Sequence, residues 1–95
     1  MNEIELKTCI KFKSRTNEKN YVKIYNAHSC WSDIGYMEYG EQYLSLHLPN
    51  CSCHGIILHE LMHTLGFLHI HQRSDRKNYL TIHWNNINRT DRMRF

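Results

Sequence analysis

The chain has 95 residues, enough for one small domain but below the usual domain size of roughly 100 to 150. Its 41% hydrophobic and 22% charged residues suit a folded chain with a modest core. Twelve Lys and Arg against nine Asp and Glu leave a net charge of +3. That charge is dispersed, which argues against a nucleic-acid surface, and no run approaches the ~18 apolar residues of a membrane span.

In chain order, residues 2–7 read as the last turns of a helix with Ile4 and Leu6 as apolar contacts. Residues 8–13 alternate, placing Ile10 and Phe12 on one face and charged neighbours on the other, which predicts a half-buried strand. Residues 14–20 are all polar or charged and read as a loop. Strand alternation resumes at 21–25, with Val22 opposed to Lys23. Residues 26–33 are loop-like, 34–37 read as a short strand, and Gly40 marks a turn. Residues 43–48 alternate again, sending Leu44, Leu46 and Leu48 toward a core until Pro49-Asn50 stops the strand.

Ser52 or Cys53 opens the next helix, in which Ile57, Leu58, Leu61, Met62 and Leu65 form a wide apolar stripe facing the sheet. His59 and His63 are four apart, so their imidazoles rise from the same face one turn apart, a geometry that chelates one small cation. Glu60 follows His59 and points to the flank of that face, where it reaches a metal-activated water without being a ligand. Position 69 would project from the wrong side if the helix continued. Gly66 in the left-handed conformation ends the helix and turns the chain so that His69 approaches the same point. Three neutral imidazoles with one open position suit a catalytic zinc, whereas a structural zinc is closed by four ligands. A structural reading needs a fourth ligand from His28, His47, His54, His71 or His83, all of which lie outside the motif spacing.

After His69 the chain is polar to Asn78, and residues 79–82 suggest one more short extended segment. With no repeat, low-complexity tract or linker, residues 1–95 read as one domain. Four cysteines favour an oxidising compartment and allow three pairings. Asn50-Cys51-Ser52 and Asn88-Arg89-Thr90 both fit the glycosylation acceptor pattern, which matters only in a secreted chain.

The run His59-Glu60-x-x-His63-x-x-Gly66-x-x-His69 resembles the signature of the metzincin metallopeptidases. Its surroundings narrow the likeness. Residues 8–12 through Arg15-Thr16 resemble the early strand of the astacin family of zinc endopeptidases, and Cys30-Trp31-Ser32 followed by Ile34-Gly35 resembles that family's cleft-edge segment. The run Arg73-x-Asp75-Arg76-x-x-Tyr79 resembles its extension after the third histidine.

This resemblance implies an α+β fold, a twisted sheet of three to five strands packed on a zinc-binding active-site helix, forming the upper half of a metzincin-like catalytic domain. It implies one zinc per chain held by His59, His63 and His69, with Glu60 as general base and a disulfide between Cys30 and Cys51. It also implies protein or peptide substrates, and a secreted product whose signal peptide and propeptide lie outside this chain. The expected domain is incomplete, lacking its start and the lower half that carries a methionine turn and a tyrosine. Cys9 is without its family partner, so its pairing with Cys53 stays open, and Ile70 stands where the family has glutamate. Arg73, Asp75 and Arg76 are expected to hold their loop by ion pairs and Tyr79 to lie in the core. The function implied is zinc-dependent endoproteolysis; the alternative is a zinc-binding but inactive half-domain.

Overall fold

The alternation at residues 21–25 and in the early forties builds two five-residue strands, β1 (Tyr21–Tyr25) and β3 (Glu41–Ser45), with the two-residue β2 (Trp31–Ser32) between them in sequence. In the computed structural model, which describes residues 1–95, the sheet order is β1-β3-β2. β3 is central, parallel to β1 with Ile24 opposite Leu44, and antiparallel to β2 with Trp31 opposite Ser45. Helix α1 (Asn2–Lys7) precedes the sheet, and helix α2 (His54–Thr64) follows it and packs on β2 and β3. Four short 3₁₀ turns lie beyond α2. The α+β class and the histidine-bearing helix on a small sheet are as expected from sequence.

Period-two geometry divides the sheet into two chemically different faces. Gln42 and Leu44 are buried on the α2 side, where Ser32 Oγ shares a 2.7 Å hydrogen bond with Thr64 Oγ1. Opposite them, Tyr25 packs edge-on against Tyr43 at 5.6 Å and Trp31 at 6.3 Å, while Tyr21 and Tyr43 hydroxyls both donate to the Glu41 carboxylate. The core proper is Ile4, Leu44 and Leu61, flanked by half-buried Ile10, Phe12, Leu46, Ile57, Leu58 and Leu65. Only 8 of 95 residues are buried, so the core is modest, as composition suggested. The Cα radius of gyration is 15.8 Å, against about 12 Å expected for a close-packed domain of this length. The principal extents of 50 × 30 × 28 Å show an elongated shape.

Several predicted elements differ. Residues 8–13 form no strand, although Ile10 and Phe12 do face the core. Ile10 N–H donates to Thr8 Oγ1 and Phe12 N–H to Glu5 Oε1, so side chains satisfy these donors where a strand needs a paired neighbour. The short strand expected at 34–37 is displaced to Trp31–Ser32. Gly35 has φ +73°, which breaks extension, and Gln42 replaces the ladder there by donating to Gly35 O and accepting from Met37 N–H. The strand expected at 43–48 runs instead from Glu41 to Ser45, leaving Leu48 exposed. Leu6 is 86% exposed and Tyr79 71% exposed, so neither belongs to the core, and 79–82 is not extended into a ladder.

Candidate metal centre

Helix α2 begins after Cys53 and presents His59 and His63 from successive turns, with Leu61 buried on the opposite side. Its end is a Schellman arrangement: Phe67 N–H donates to Met62 O at 3.0 Å and Gly66 N–H to His63 O at 2.8 Å. Gly66 sits at φ +101°, the left-handed region that the sequence called for. Gly35 approaches from the sheet side, its N–H also donating to His63 O at 2.9 Å. An added Cβ on Gly35 would lie 3.7 Å from the Gly66 Cα, an ordinary contact, so the positive φ of both residues rather than crowding calls for glycine where cleft edge meets helix end.

The reversal at Gly66 brings His69 to the helical pair. The Nε2 atoms of His59, His63 and His69 form a triangle with sides of 3.0, 3.1 and 3.2 Å. Tetrahedral zinc with bonds of about 2.0–2.1 Å spaces its nitrogens about 3.3 Å apart, so the donor set fits that ion closely. His63 Nδ1 lies 2.6 Å from Phe67 O, and because a carbonyl only accepts, Nδ1 carries the proton and Nε2 turns a lone pair to the triangle. For His69, desolvation first, then the charges of His63 and His59, push the pKa below the ordinary histidine value, while Glu60 opposes the shift. The neutral, ligating form is favoured.

Glu60 is 6% exposed, and its side chain accepts no hydrogen bond from the chain; its backbone carbonyl takes one from Thr64 Oγ1. The triangle opens into a cleft of about 360 Å³ whose walls include Met62, Phe67 and Leu80. These three histidines are the group of donor side chains that could hold a metal ion. Of the alternative fourth ligands, His54 pairs with Glu3 at 2.7 Å, and His71 stacks on the His69 ring at 5.4 Å and 12°.

Cys30 and Cys51 are disulfide-bonded, tying the start of β2 to the segment that leads into α2, while Cys9 and Cys53 are free and exposed. The open Cys9–Cys53 pairing is therefore absent. Arg73 makes a bidentate pair with Asp75 at 2.8 Å, as expected, whereas Arg76 donates to His71 O and forms no ion pair. Two contributors escaped sequence reasoning. The Phe67 carbonyl that orients His63 is a backbone group with no residue signal. The His71 ring against His69 was legible only as a nearby histidine.

Comparison with known proteins agrees with this geometry. The sequence model described as Astacin, a peptidase family, matches residues 1–95. The chain is 54% identical over 89 residues to astacin-like metalloprotease toxin 2 of Loxosceles intermedia, covering 92% of this chain and 34% of the toxin. It is 43% identical over 82 residues to meprin A subunit beta of Rattus norvegicus, covering 86% of this chain and 12% of the meprin subunit. The structure of high choriolytic enzyme 1, a hatching-enzyme zinc-protease from Oryzias latipes, superposes with TM-score 0.87 at 41% identity. That match covers all of this chain and 47% of the hatching enzyme, so the chain spans less than half the length of each of these proteins. With the signature histidines converged on one point and the family match running from residue 1 to residue 95, this chain belongs to the astacin family of peptidases.

Proposed function

We propose that residues 1–95 are part of the catalytic domain of a secreted zinc endopeptidase, with His59, His63 and His69 holding one zinc ion and Glu60 acting as general base. The observation that carries this reading is the Nε2 triangle, with sides of 3.0–3.2 Å, on the helix that also carries Glu60. Zinc held there supplies the Lewis acidity that activates water and polarises a scissile carbonyl.

The chain's own groups do the rest. His63 is kept in its ligating tautomer by the Phe67 carbonyl, and burial first, then the neighbouring imidazoles, lowers the His69 pKa and favours its neutral form. Glu60 takes the proton of the attacking water and returns it to the leaving amine nitrogen, so no covalent intermediate is needed. The apolar walls at Met62, Phe67 and Leu80 line the cleft that receives the peptide. Secretion is supported by the Cys30–Cys51 disulfide and by a toxin and a hatching enzyme among the relatives.

Glu60→Gln in the full protein keeps one zinc by native mass spectrometry and loses about a hundredfold or more in peptide hydrolysis. Parent-like hydrolysis by that variant would remove Glu60 from the mechanism. With only eight residues buried, four of them polar or charged, the structure favours as a second reading a chain that holds zinc without hydrolysing peptides. Zinc-loaded parent protein with no peptidase activity would select it.

A further inference from the structure

The two glycosylation patterns differ in their structural surroundings. We propose that Asn88 carries an N-linked glycan and that Asn50 does not, an inference that rests on the secretion reading above.

Asn88, Arg89 and Thr90 are all exposed, and the side chains of Asn88 and Thr90 make no hydrogen bond within the chain. The local fold uses only the backbone carbonyl of Asn88, which accepts from Asp91 N–H at 2.9 Å and Arg92 N–H at 3.2 Å. The Asn88 amide and the Thr90 hydroxyl, the two groups an oligosaccharyl transferase engages, are therefore both free. The segment is tied down from its other side, where Arg92 donates to Trp84 O and Ile87 O, and Trp84 packs on Phe95. A glycan at Asn88 would displace none of these contacts.

Asn50 is exposed too, but its pattern is compromised at both following positions. Cys51, the middle residue, is fully buried and bonded to Cys30. The Ser52 hydroxyl donates to Pro49 O at 2.6 Å, and Cys51 N–H donates to His47 O at 2.7 Å. Cys30 precedes Cys51 by 21 residues, so it has already emerged when Asn50 reaches the transferase, and disulfide closure competes directly with glycosylation there. No cross-link competes at Asn88.

The step transfers an oligosaccharide from a lipid-pyrophosphate carrier. The sugar C1–O bond to the pyrophosphate breaks, a C1–N bond to Asn88 Nδ2 forms, the lipid pyrophosphate leaves with the electron pair of the broken bond, and the amide proton is lost to balance its charge. The test is expression of the full protein behind a supplied signal peptide in a secreting eukaryotic cell, with glycopeptide mapping of the secreted product. The expected result is a glycan on Asn88, with Asn50 unmodified. Asn88→Gln and Thr90→Ala should each remove one glycan's mass, and Asn50→Gln should remove none. Unmodified Asn88 in the secreted parent, or a glycan on Asn50, overturns the proposal. Because mapping reads the parent directly, a misfolding variant does not rescue it. Secretion itself is read separately, from whether the natural precursor reaches the medium, so the two ideas fail independently.

Discussion

Between Tyr21 and Phe67 the chain is tied at every level: a three-stranded ladder, a disulfide, a helix packed on the sheet and a hydrogen-bonded helix end. Residues 70–95 contain four 3₁₀ turns and no buried residue, and are held by local turn hydrogen bonds, aromatic pairs, the Arg73–Asp75 ion pair and the Arg92 side chain. The candidate metal centre straddles this boundary. His59 and His63 come from the tied region and are aligned before any metal arrives, whereas His69 stands three residues past the turn at Gly66, at the edge of the loose one. Two of the candidate ligands are thus positioned by the packed helix and the third by the backbone turn. Substitutions in the two regions should separate stability from metal affinity.

Leu61→Ala should have the largest effect on folding, because Leu61 is 2% exposed at the centre of the helix–sheet contact. A loss of about 2–5 kcal/mol in denaturant unfolding of the metal-free chain is expected. A change under about 1 kcal/mol would mean that the helix is not held by this core. Gly66→Ala places a side chain at φ +101° and should cost about 1–3 kcal/mol, with the strain falling on the turn rather than on α2. Chelator competition should show weaker zinc binding while helical circular dichroism is unchanged; full zinc affinity would show that His69 does not depend on that turn.

Phe95→Ala removes the ring that packs on His71 at 4.6 Å and on Trp84 at 5.7 Å. It should cost about 0.5–1.5 kcal/mol locally, seen as faster amide exchange at residues 84–95 with no shift in the unfolding of the tied region. A shift in global unfolding would erase the proposed boundary. The smallest expected effect is that of pH on the metal-free chain. His69 has a folded-state pKa below the ordinary value of 6.5, so the unfolded chain takes up the proton first. Stability should therefore be flat above that value and decline as pH falls through 6.5 toward the lower folded pKa. His69→Gln should flatten the decline, and an unchanged slope would assign it to other groups.

Much of the site was legible because it depends on short-range rules. Four-residue spacing puts His59 and His63 on one helix face whatever surrounds them, and a glycine is the residue that accepts the positive φ needed to end the helix at position 66. The Cys30–Cys51 bond was legible only through family resemblance, since four cysteines leave three pairings open. Strand assignments fared worse because alternation reports which face is buried, not whether a partner exists. Residues 8–13 bury Ile10 and Phe12 as their pattern requires, yet no neighbour supplies a ladder. Trp31–Ser32, with no visible pattern, becomes a strand because Asp33 N–H donates to Tyr43 O and the Asp33 carboxylate accepts from Tyr43 N–H.

By itself, then, the sequence determined the helix that carries His59 and His63, the point at which that helix ends, the set of three converging imidazoles and the family to which they belong. These follow from spacing and from the steric freedom of one glycine. Tertiary structure alone decided the sheet order, the placement of Leu48 and Tyr79 in solvent, the tautomer of His63 and the different surroundings of Asn50 and Asn88. Each of these depends on groups distant in sequence or on backbone carbonyls common to all residues, and neither leaves a mark on the local pattern.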